Sequence, residues 1–283
     1  MKNNLRKVLA ALILTGVFWA GSSNNGTGVE AEEQTKTTAR TIIVGSPEGV
    51  RPMSYTDEDG KFTGYEVEVL RKIAESLPKY DFEFRPMESK SIYAGMSNGK
   101  VDMSAANSRR SEGREAEFIH TKYAYNYSPL RFVVAEDNAE ITSIKDLEGK
   151  KVAMTEGSLQ AVVLADYIEK NGSAMELVYS SDYAQLLATG RVDAAVSPEW
   201  RIPAINASFD KFKIKPVGEV VEGTDEYSSD SNVYFWFAKD ETELKDAIDA
   251  EILKLRKDGT LSKLAVEWLG TDFVSQIDTS KER

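Results

Sequence analysis

The pattern that most constrains this chain is a regular alternation of strand-like and helix-like segments beginning at Thr41. Thr41-Ile-Ile-Val-Gly45 is short and apolar, as in a buried strand, and residues 66–77 place apolar side chains at helical spacing. Such alternation favours a largely parallel sheet with helical crossovers, and therefore an α/β fold. Further strands are predicted at 80–84, 101–105, 130–135, 151–155, 175–179 and 192–197, and helices at 91–98, 158–170 and 181–189.

Two more helices are predicted near the C-terminal end. Asp240-Glu-Thr-Glu243 has the form of a capping box at a helix N-terminus, and Gly259 is suited to end that helix. Its apolar face would consist of Leu244, Ala247, Ile248, Ile252 and Leu255. A last helix would carry Leu261, Leu264, Ala265 and Trp268.

A near-repeat lies within the alternating series. Gly99-Lys-Val-Asp102 and Gly190-Arg-Val-Asp193 each follow a predicted amphipathic helix and open a predicted strand, about 90 residues apart. Two lobes of similar architecture would produce this repeat. A common type of helix-to-strand turn would produce it as well.

The N-terminal segment has the pattern of an export signal. Lys2, Arg6 and Lys7 precede an uncharged run at residues 8–20, which is shorter than the roughly 20 apolar residues of a membrane span. We predict a signal peptide at 1–31, cleaved after Ala31, and a flexible linker at 32–40. A lipid-attachment site at Ala20-Gly21-Ser22 is the alternative, but Ser22 stands where such a site needs cysteine. Either reading predicts an exported protein, in a periplasm or at the outer face of the cytoplasmic membrane.

The charge and the rare residues exclude several classes of function. Without residues 1–31, the chain has 32 Lys and Arg against 45 Asp and Glu, a net charge of −13, which disfavours nucleic acid as a partner. With no cysteine and one histidine, His120, it offers neither a His/Cys metal site nor a thiol nucleophile. His120 is expected to be a partly packed residue. No nucleophile elbow, dinucleotide-binding turn or phosphate loop occurs, so we expect no cofactor and no metal.

Five motifs in order resemble the bacterial extracellular solute-binding proteins of family 3, which serve polar amino-acid ABC transporters. The most specific is Gly64-Tyr-Glu-Val-Glu-Val69, which matches that family's glycine, aromatic, acid, apolar, acid, apolar segment. The resemblance covers roughly residues 41–270. The other motifs are Gly60-Lys-Phe-Thr63, Ile144-Lys-Asp-Leu-Glu-Gly-Lys-Lys-Val152, Gly190-Arg-Val-Asp193 and Glu267-Trp-Leu-Gly270.

The resemblance implies the two-lobed clamshell of a type 2 periplasmic binding protein, each lobe with a mostly parallel sheet and flanking helices. Lobe 1 would be formed by 41–130 and 223–283, and lobe 2 by 131–222. Crossing segments near 128–134 and 222–234 would act as the hinge. It also implies a monomer that captures an amino acid and delivers it to a membrane permease.

Arg114 is the first candidate ligand-binding residue. It stands twelve residues after Asp102, and the resemblance places the family's carboxylate-binding arginine at this spacing. A guanidinium suits a free amino acid because two parallel N–H groups match both carboxylate oxygens. Asn107 stands where the family offers a backbone carbonyl and a polar contact, and Arg109 stands where the family often has Thr. A solvated arginine is the alternative for both Arg114 and Arg109.

Gly157 and Ser158 open the predicted helix 158–170. Backbone N–H groups at a helix N-terminus, with the Ser158 hydroxyl, could seat an anion. A plain N-cap role for Ser158 is the alternative, and both roles are compatible.

The sequence departs from the family at the ammonium and side-chain subsites. Position 198 is Pro where the family usually has Asp, so Glu199 could supply the acid, or it could be a solvated acid at a helix start. The family's aromatic clamp positions are Val50 and Ser89, neither of which can stack. Glu48, Arg51, Ser89 and Lys90 would form a polar pocket, so a polar or charged ligand is favoured over an apolar one. Tyr55, Tyr93, Tyr123, Tyr125 and Tyr127 could supply aromatic surface instead.

Residues 113–127 resemble the cystine-binding branch, which gives cystine or a similar polar amino acid as the expected ligand. A few relatives of this fold are dehydratases of cyclic acids, in which a cleft carboxylate donates a proton. Glu199 could take that role, so a dehydratase-like enzyme is the alternative function. A ligand-sensing domain is disfavoured because the sequence contains no second long apolar segment.

Overall fold

The computed structural model describes residues 39–155, 158–220 and 231–282. The predicted signal peptide, most of the predicted linker and Gly157 therefore lie outside the described residues. In this part of the chain, no helix is both long and apolar enough to cross a membrane. The strands are β1 (Arg40–Pro47), β2 (Tyr55–Thr56), β3 (Phe62–Thr63), β4 (Tyr80–Met87), β5 (Met103–Ser108), β6 (Ile119–His120), β7 (Asn126–Tyr127), β8 (Leu130–Ala135), β9 (Lys151–Met154), β10 (Glu176–Tyr179), β11 (Ala194–Pro198), β12 (Ile214–Val220) and β13 (Asn232–Phe237). The α-helices are α1 (Tyr65–Ala74), α2 (Ser89–Ser97), α3 (Glu112–Glu117), α4 (Leu159–Asn171), α5 (Tyr183–Ala188), α6 (Ile202–Ser208), α7 (Thr242–Lys257) and α8 (Thr260–Leu269).

The strands form two main sheets, which define two lobes. Lobe 1 contains the sheet β4-β1-β5-β13-β6, with β7 paired to β13, and helices α1–α3, α7 and α8. Lobe 2 contains the sheet β10-β9-β11-β8-β12 and helices α4–α6. The prediction of a two-lobed α/β fold is thus confirmed.

Each sheet is mixed rather than mostly parallel. β4, β1 and β5 run parallel in lobe 1, as do β10, β9 and β11 in lobe 2, and these are the strands joined through helices. β13 runs antiparallel to β5, and β8 runs antiparallel to β11 and β12. Because β8 and β13 each follow a crossing between lobes, no helical crossover obliges them to be parallel.

Both faces of the lobe 2 sheet are buried. Phe132 and Val134 pack in one apolar cluster with Met154, whereas Val133 and Ala153 pack in a second cluster with α5 and α6. Successive side chains of a strand point to opposite faces, so two clusters on one sheet require helices on both sides. This burial explains why these strands read as continuous apolar runs.

The C-terminal helices complete the lobe 1 core. Leu244, Ile248 and Ile252 are fully buried in the same cluster as Ile42 and Val44 of β1, as the predicted apolar face required. The predicted capping box is wrong, since the first turn of α7 has no side-chain cap. Its acids are used elsewhere: Glu241 accepts a hydrogen bond from Arg40 at 2.9 Å, and Glu243 pairs with Lys79.

The near-repeat has the same structure in both lobes. The Asp102 carboxylate accepts a hydrogen bond from the Ile43 backbone N–H at 2.6 Å, and the Asp193 carboxylate accepts one from the Lys151 N–H at 2.8 Å. The N–H of each aspartate also donates to the carbonyl of the same partner, at 2.9 Å in both cases. Gly99 and Gly190 both have positive φ, +73° and +64°. Each motif therefore ties the strand that it opens to the first strand of its lobe's parallel set.

The first crossing between lobes is short. Tyr127 ends the pairing of β7 with β13 in lobe 1, and Leu130 begins β8 in lobe 2. Between them, the Ser128 N–H donates to the carbonyl of Ser231, the residue directly before β13, at 2.7 Å. The first crossing is therefore held against the end of the second. The second predicted crossing, 222–234, falls largely outside the described residues.

Candidate functional site

Residues of both lobes line one cavity of about 490 Å³, a volume typical of small-molecule sites. Six of the eight predicted site residues lie on its wall: Val50, Ser89, Asn107, Arg109, Arg114 and Ser158. Glu199 does not line it, and Gly157 lies outside the described residues. The remaining lining residues are Pro47, Tyr93, Ala106, Ser108, Ser128, Leu130, Thr155, Gln160, Tyr183, Pro198, Trp200 and Arg201.

Arg114 is held at the cavity by its own helix and by two aromatic rings. The Ser111 hydroxyl caps α3, and the Arg114 Nη1 donates to the Arg109 carbonyl at 2.7 Å. The guanidinium carbon lies 5.0 Å from the Tyr93 ring centre and 6.0 Å from that of Trp236. Among the described residues no carboxylate pairs with Arg114, so its charge is available to an anionic ligand.

Asn107 has a strained backbone held by a buried carboxyl. Its φ is +46°, a left-handed conformation that asparagine tolerates better than most residues. The Asn107 N–H donates to Glu66 Oε1 at 2.8 Å, and the Tyr125 hydroxyl donates to the same oxygen. The Asn107 Oδ1 is buried and accepts no hydrogen bond from the described residues. This oxygen is the kind of acceptor that a ligand ammonium requires.

In the sequence, Glu66 was marked only as the first acid of the motif Gly64–Val69, and the structure gives it a larger role. Its side chain is 1% exposed, and burial raises the pKa of the carboxyl from 4.5 to about 7 against the opposing effect of its two hydrogen bonds. Gly64 permits this placement, because a Cβ there would lie 2.4 Å from the Met53 carbonyl oxygen. The signal available in the sequence was the glycine-acid spacing of the motif, which indicated a helix start but not a support for the cavity.

Ser128 joins the two lobes behind the cavity. Its hydroxyl oxygen accepts hydrogen bonds from Asn107 Nδ2 at 3.0 Å and from Trp200 Nε1 at 2.8 Å. Its carbonyl accepts a hydrogen bond from Arg109 Nη2 at 2.6 Å. Arg109 is buried, with 5% exposure, so the alternative of a solvated arginine is wrong.

Ser158 caps α4, as the plainer alternative expected. Its hydroxyl accepts from the Ala161 N–H at 3.3 Å and donates to the Thr155 carbonyl at 2.5 Å. Ser158 also lies on the cavity wall, so a helix N-terminus borders the cavity from lobe 2.

Glu199 faces Arg131 rather than the cavity. Its carboxylate lies 3.4 Å from Arg131 Nη1, and its backbone N–H donates to the Pro129 carbonyl at 2.9 Å. Arg131 in turn donates to the Gly218 carbonyl at 2.8 Å. The ion pair between Arg131 and Glu199 therefore stabilises the start of lobe 2.

The aromatic surface of the cavity differs from that suggested by the sequence. Of the five tyrosines considered, only Tyr93 lines it; Tyr125 is fully buried and stacks on Phe235 at 4.0 Å. Tyr183 and Trp200 line the lobe 2 side and were missed. No motif marked either residue as lining the cavity, although Trp200 directly follows the candidate Glu199; it is the fold that brings them there.

Arg201 was also missed. It lines the cavity from lobe 2, with its guanidinium carbon 5.5 Å from the Tyr183 ring centre. Among the described residues no carboxylate lies within ion-pair distance of Arg201. The cavity therefore receives arginine side chains from both lobes.

His120 lies near this site without lining it. Its ring packs 4.9 Å from Trp236 and 5.1 Å from Tyr234, and its Nδ1 lies 2.6 Å from the Thr121 carbonyl. Burial lowers the pKa of His120, and the nearby Arg110 adds to this effect. The packing of the imidazole against two aromatic rings is consistent with the structural role predicted for it. The described ranges contain no group of three metal-ligating side chains.

Comparisons with known proteins all identify the same family. The model of the bacterial extracellular solute-binding proteins, family 3, matches residues 42–271. The chain is 35% identical to the L-cystine-binding protein TcyJ of Bacillus subtilis (strain 168) over 274 residues, which are 95% of this chain and 97% of TcyJ.

Solved structures agree. The probable amino-acid ABC transporter extracellular-binding protein ytmK of Bacillus subtilis superposes with a TM-score of 0.76 at 34% identity, covering 83% of this chain and 100% of that one. A putative L-cystine ABC transporter protein from Listeria monocytogenes gives 0.71 at 37% identity, covering 83% and 98%.

Proposed function

Because the chain belongs to family 3 of the bacterial extracellular solute-binding proteins, we propose that its ligand is L-cystine or a closely similar amino acid. The chain is a substrate-binding component of an amino-acid ABC transporter, so its partner is a membrane permease. The dehydratase alternative is set aside, because the relatives are named as binding proteins of transporters.

The observation that carries the proposal is the Arg114 guanidinium at the wall of a cavity that both lobes share. It is stacked near two aromatic rings, and no carboxylate of the described residues neutralises it. A ligand α-carboxylate would complete this arrangement with two parallel hydrogen bonds. The contacts would strengthen when both lobes touch the ligand, so binding would favour closure.

The proposed site consists of lobe 1 and lobe 2 parts. In lobe 1, Arg114 binds the carboxylate, Asn107 Oδ1 accepts from the ammonium, and Arg109 positions Ser128. In lobe 2, the N-terminus of α4 at Ser158 faces the ligand, and Gly157, the other predicted residue here, lies outside the described residues. Val50 and Ser89 border the side-chain end. Glu199 is left out because its carboxylate is engaged by Arg131.

We propose the lobe boundaries 41–130 and 223–283 for lobe 1 and 131–222 for lobe 2. Strand membership supports them, since β8–β12 share one sheet and β13 joins the other. The chain would act as a monomer and would not bind nucleic acid, in keeping with its excess of acidic residues.

The family acts outside the cytoplasmic membrane, and so does this protein. We propose that its mature form begins after Ala31. Ser22 supports release over lipid attachment, because a hydroxyl does not form the thioether that holds the lipid.

Titration calorimetry with L-cystine tests the proposed site. Arg114→Ala should weaken binding about a hundredfold, or roughly 3 kcal/mol, because a charged hydrogen-bond pair is lost inside a partly closed cavity. Arg191→Ala is the matched control, since Arg191 is exposed and does not line the cavity.

An unchanged dissociation constant for Arg114→Ala would remove Arg114 from the site. If the wild-type protein bound neither L-cystine nor any of the twenty common amino acids, the proposed ligand class itself would be wrong.

A further inference from the structure

Arg201 and Arg114 approach one cavity from different lobes. Arg114 belongs to α3 of lobe 1, and Arg201 directly precedes α6 of lobe 2. Both line the cavity, both are partly exposed, and each lies over an aromatic ring, Tyr93 and Tyr183 respectively. A ring beneath the guanidinium fixes its plane while leaving its N–H edge for an acceptor.

Two of the arginines on the cavity wall, Arg114 and Arg201, have no acidic neighbour on that wall. None of the described lining residues is an aspartate or glutamate. The nearest acids described above are occupied, since Glu199 pairs with Arg131 and Glu66 accepts two hydrogen bonds behind Asn107. An amino acid with one carboxylate can pair with only one of these two guanidinium groups, whereas L-cystine carries a carboxylate at each end.

We propose that Arg201 binds a second acidic group of the ligand, so that the site selects amino acids with a carboxylate at each end. This inference rests on the proposed function and extends it to a residue of lobe 2. One carboxylate pairs with Arg114 and the other with Arg201, so a single ligand links a cation of each lobe. A ligand with only one carboxylate engages one lobe strongly and gains less from closure.

L-Cystine and its half-amide form a matched pair of probes. The half-amide keeps the disulfide and both amino groups but has one neutral end in place of a carboxylate. By calorimetry, the wild-type protein should bind the half-amide about thirtyfold more weakly than L-cystine. Arg201→Gln should weaken L-cystine binding by a similar factor and leave half-amide binding unchanged, because that ligand has no second carboxylate to lose.

Arg191→Gln is the control for charge alone, since it removes the same charge from an exposed position of lobe 2. It should leave both affinities unchanged. The half-amide comparison on the wild-type protein needs no variant, so it stands even if Arg201→Gln does not fold.

Three results would overturn the inference. The first is equal wild-type affinity for L-cystine and its half-amide. The second is unchanged L-cystine affinity in folded Arg201→Gln, and the third is an equal loss for both ligands in that variant. Each of these results leaves the proposed function intact. A wild-type protein that binds no amino acid would overturn both the proposed function and the inference about Arg201.

Discussion

Buried carboxyl groups such as that of Glu66 shape the cavity without touching its ligand. Glu66 holds the left-handed backbone of Asn107 and the hydroxyl of Tyr125 with one oxygen. Its second oxygen is buried without a hydrogen-bond partner in the described structure. Burial therefore favours the protonated carboxyl, which raises its pKa to about 7.

This raised pKa predicts how stability depends on pH. Between pH 4.5 and about 7 the unfolded chain releases the Glu66 proton while the folded protein keeps it, so stability falls as pH rises through this window. Glu66→Gln keeps the accepting oxygen and does not ionise. Relative to this variant, the wild-type protein should lose up to ~3 kcal/mol of unfolding free energy between pH 4.5 and 7.5, measured by urea denaturation.

The comparison isolates Glu66 because His120, whose lowered pKa acts in the opposite direction below pH 6.5, is common to both proteins. Glu75→Gln, at an exposed acid just after the same helix, is the control and should follow the wild-type curve. Parallel curves for wild type and Glu66→Gln would show that Glu66 does not titrate in this window.

Single residues were predictable where a motif fixed them and not where only the fold does. The spacing from Asp102 led to Arg114, and the strand-to-helix junction led to Ser158; both lie on the cavity wall. Arg201 carries no local signal, and Ser128 was marked only as the start of a predicted crossing, because both reach the cavity only after two lobes and a crossing have formed. Glu199 is the opposite case. It was a candidate from its position in the sequence, but Arg131, which is distant in sequence, forms an ion pair with its carboxylate.

Among the elements, the helices with a clear period and the strands that form apolar runs were largely predicted. β8 was predicted at 130–135 and lies at Leu130–Ala135. β13 was missed because its first half falls within 222–234, the segment predicted as a crossing. α3 was missed because none of its residues is buried, and it has no apolar stripe.

The crossing element offers a test of how the lobes are joined. Ser128→Ala removes the acceptor for Asn107 Nδ2 and Trp200 Nε1, which leaves two donors in a buried region without a partner. We expect a loss of about 1–3 kcal/mol in the free energy of unfolding, measured by urea denaturation.

Ser54→Ala is the matched control. Ser54 is also buried, but its hydroxyl has no hydrogen-bond partner among the described residues, so its removal should be nearly neutral. Equal effects of the two substitutions would mean that the Ser128 hydroxyl does not link the crossing to both lobes.

At the scale of the whole molecule, two lobes with matched aspartate motifs bracket one cavity. The alternating pattern predicted the α/β class, the near-repeat was compatible with two similar lobes, and the family resemblance implied the two-lobed clamshell. The mixed direction of the strands was not predictable, because it depends on where the chain crosses between lobes. The family resemblance implied the two lobes and their sheets but did not specify the direction of each strand.

Mass spectrometry of the intact protein, purified from the outside of producing cells, tests the proposed release. Because Val29 and Ala31 provide small residues at the cleavage positions, we expect a chain that begins at Glu32. A protein that retains residues 1–31 would show that the signal is not processed as proposed. A mass shift from Ser22→Cys alone would identify position 22 as the determinant of lipid attachment.

The place of β13 in the lobe 1 sheet has a consequence for biogenesis. β13 lies between β5 and β6, and α7 and α8 cover the core that β1 begins. During synthesis, the first hundred or so residues thus emerge without the strand and helices that bury their apolar surface, and lobe 2 is the first unit whose parts are all present. Lobe 1 therefore stays incomplete until the last fifth of the chain has emerged, and the chain remains unfolded for longer. An unfolded chain is the form that a translocation channel accepts.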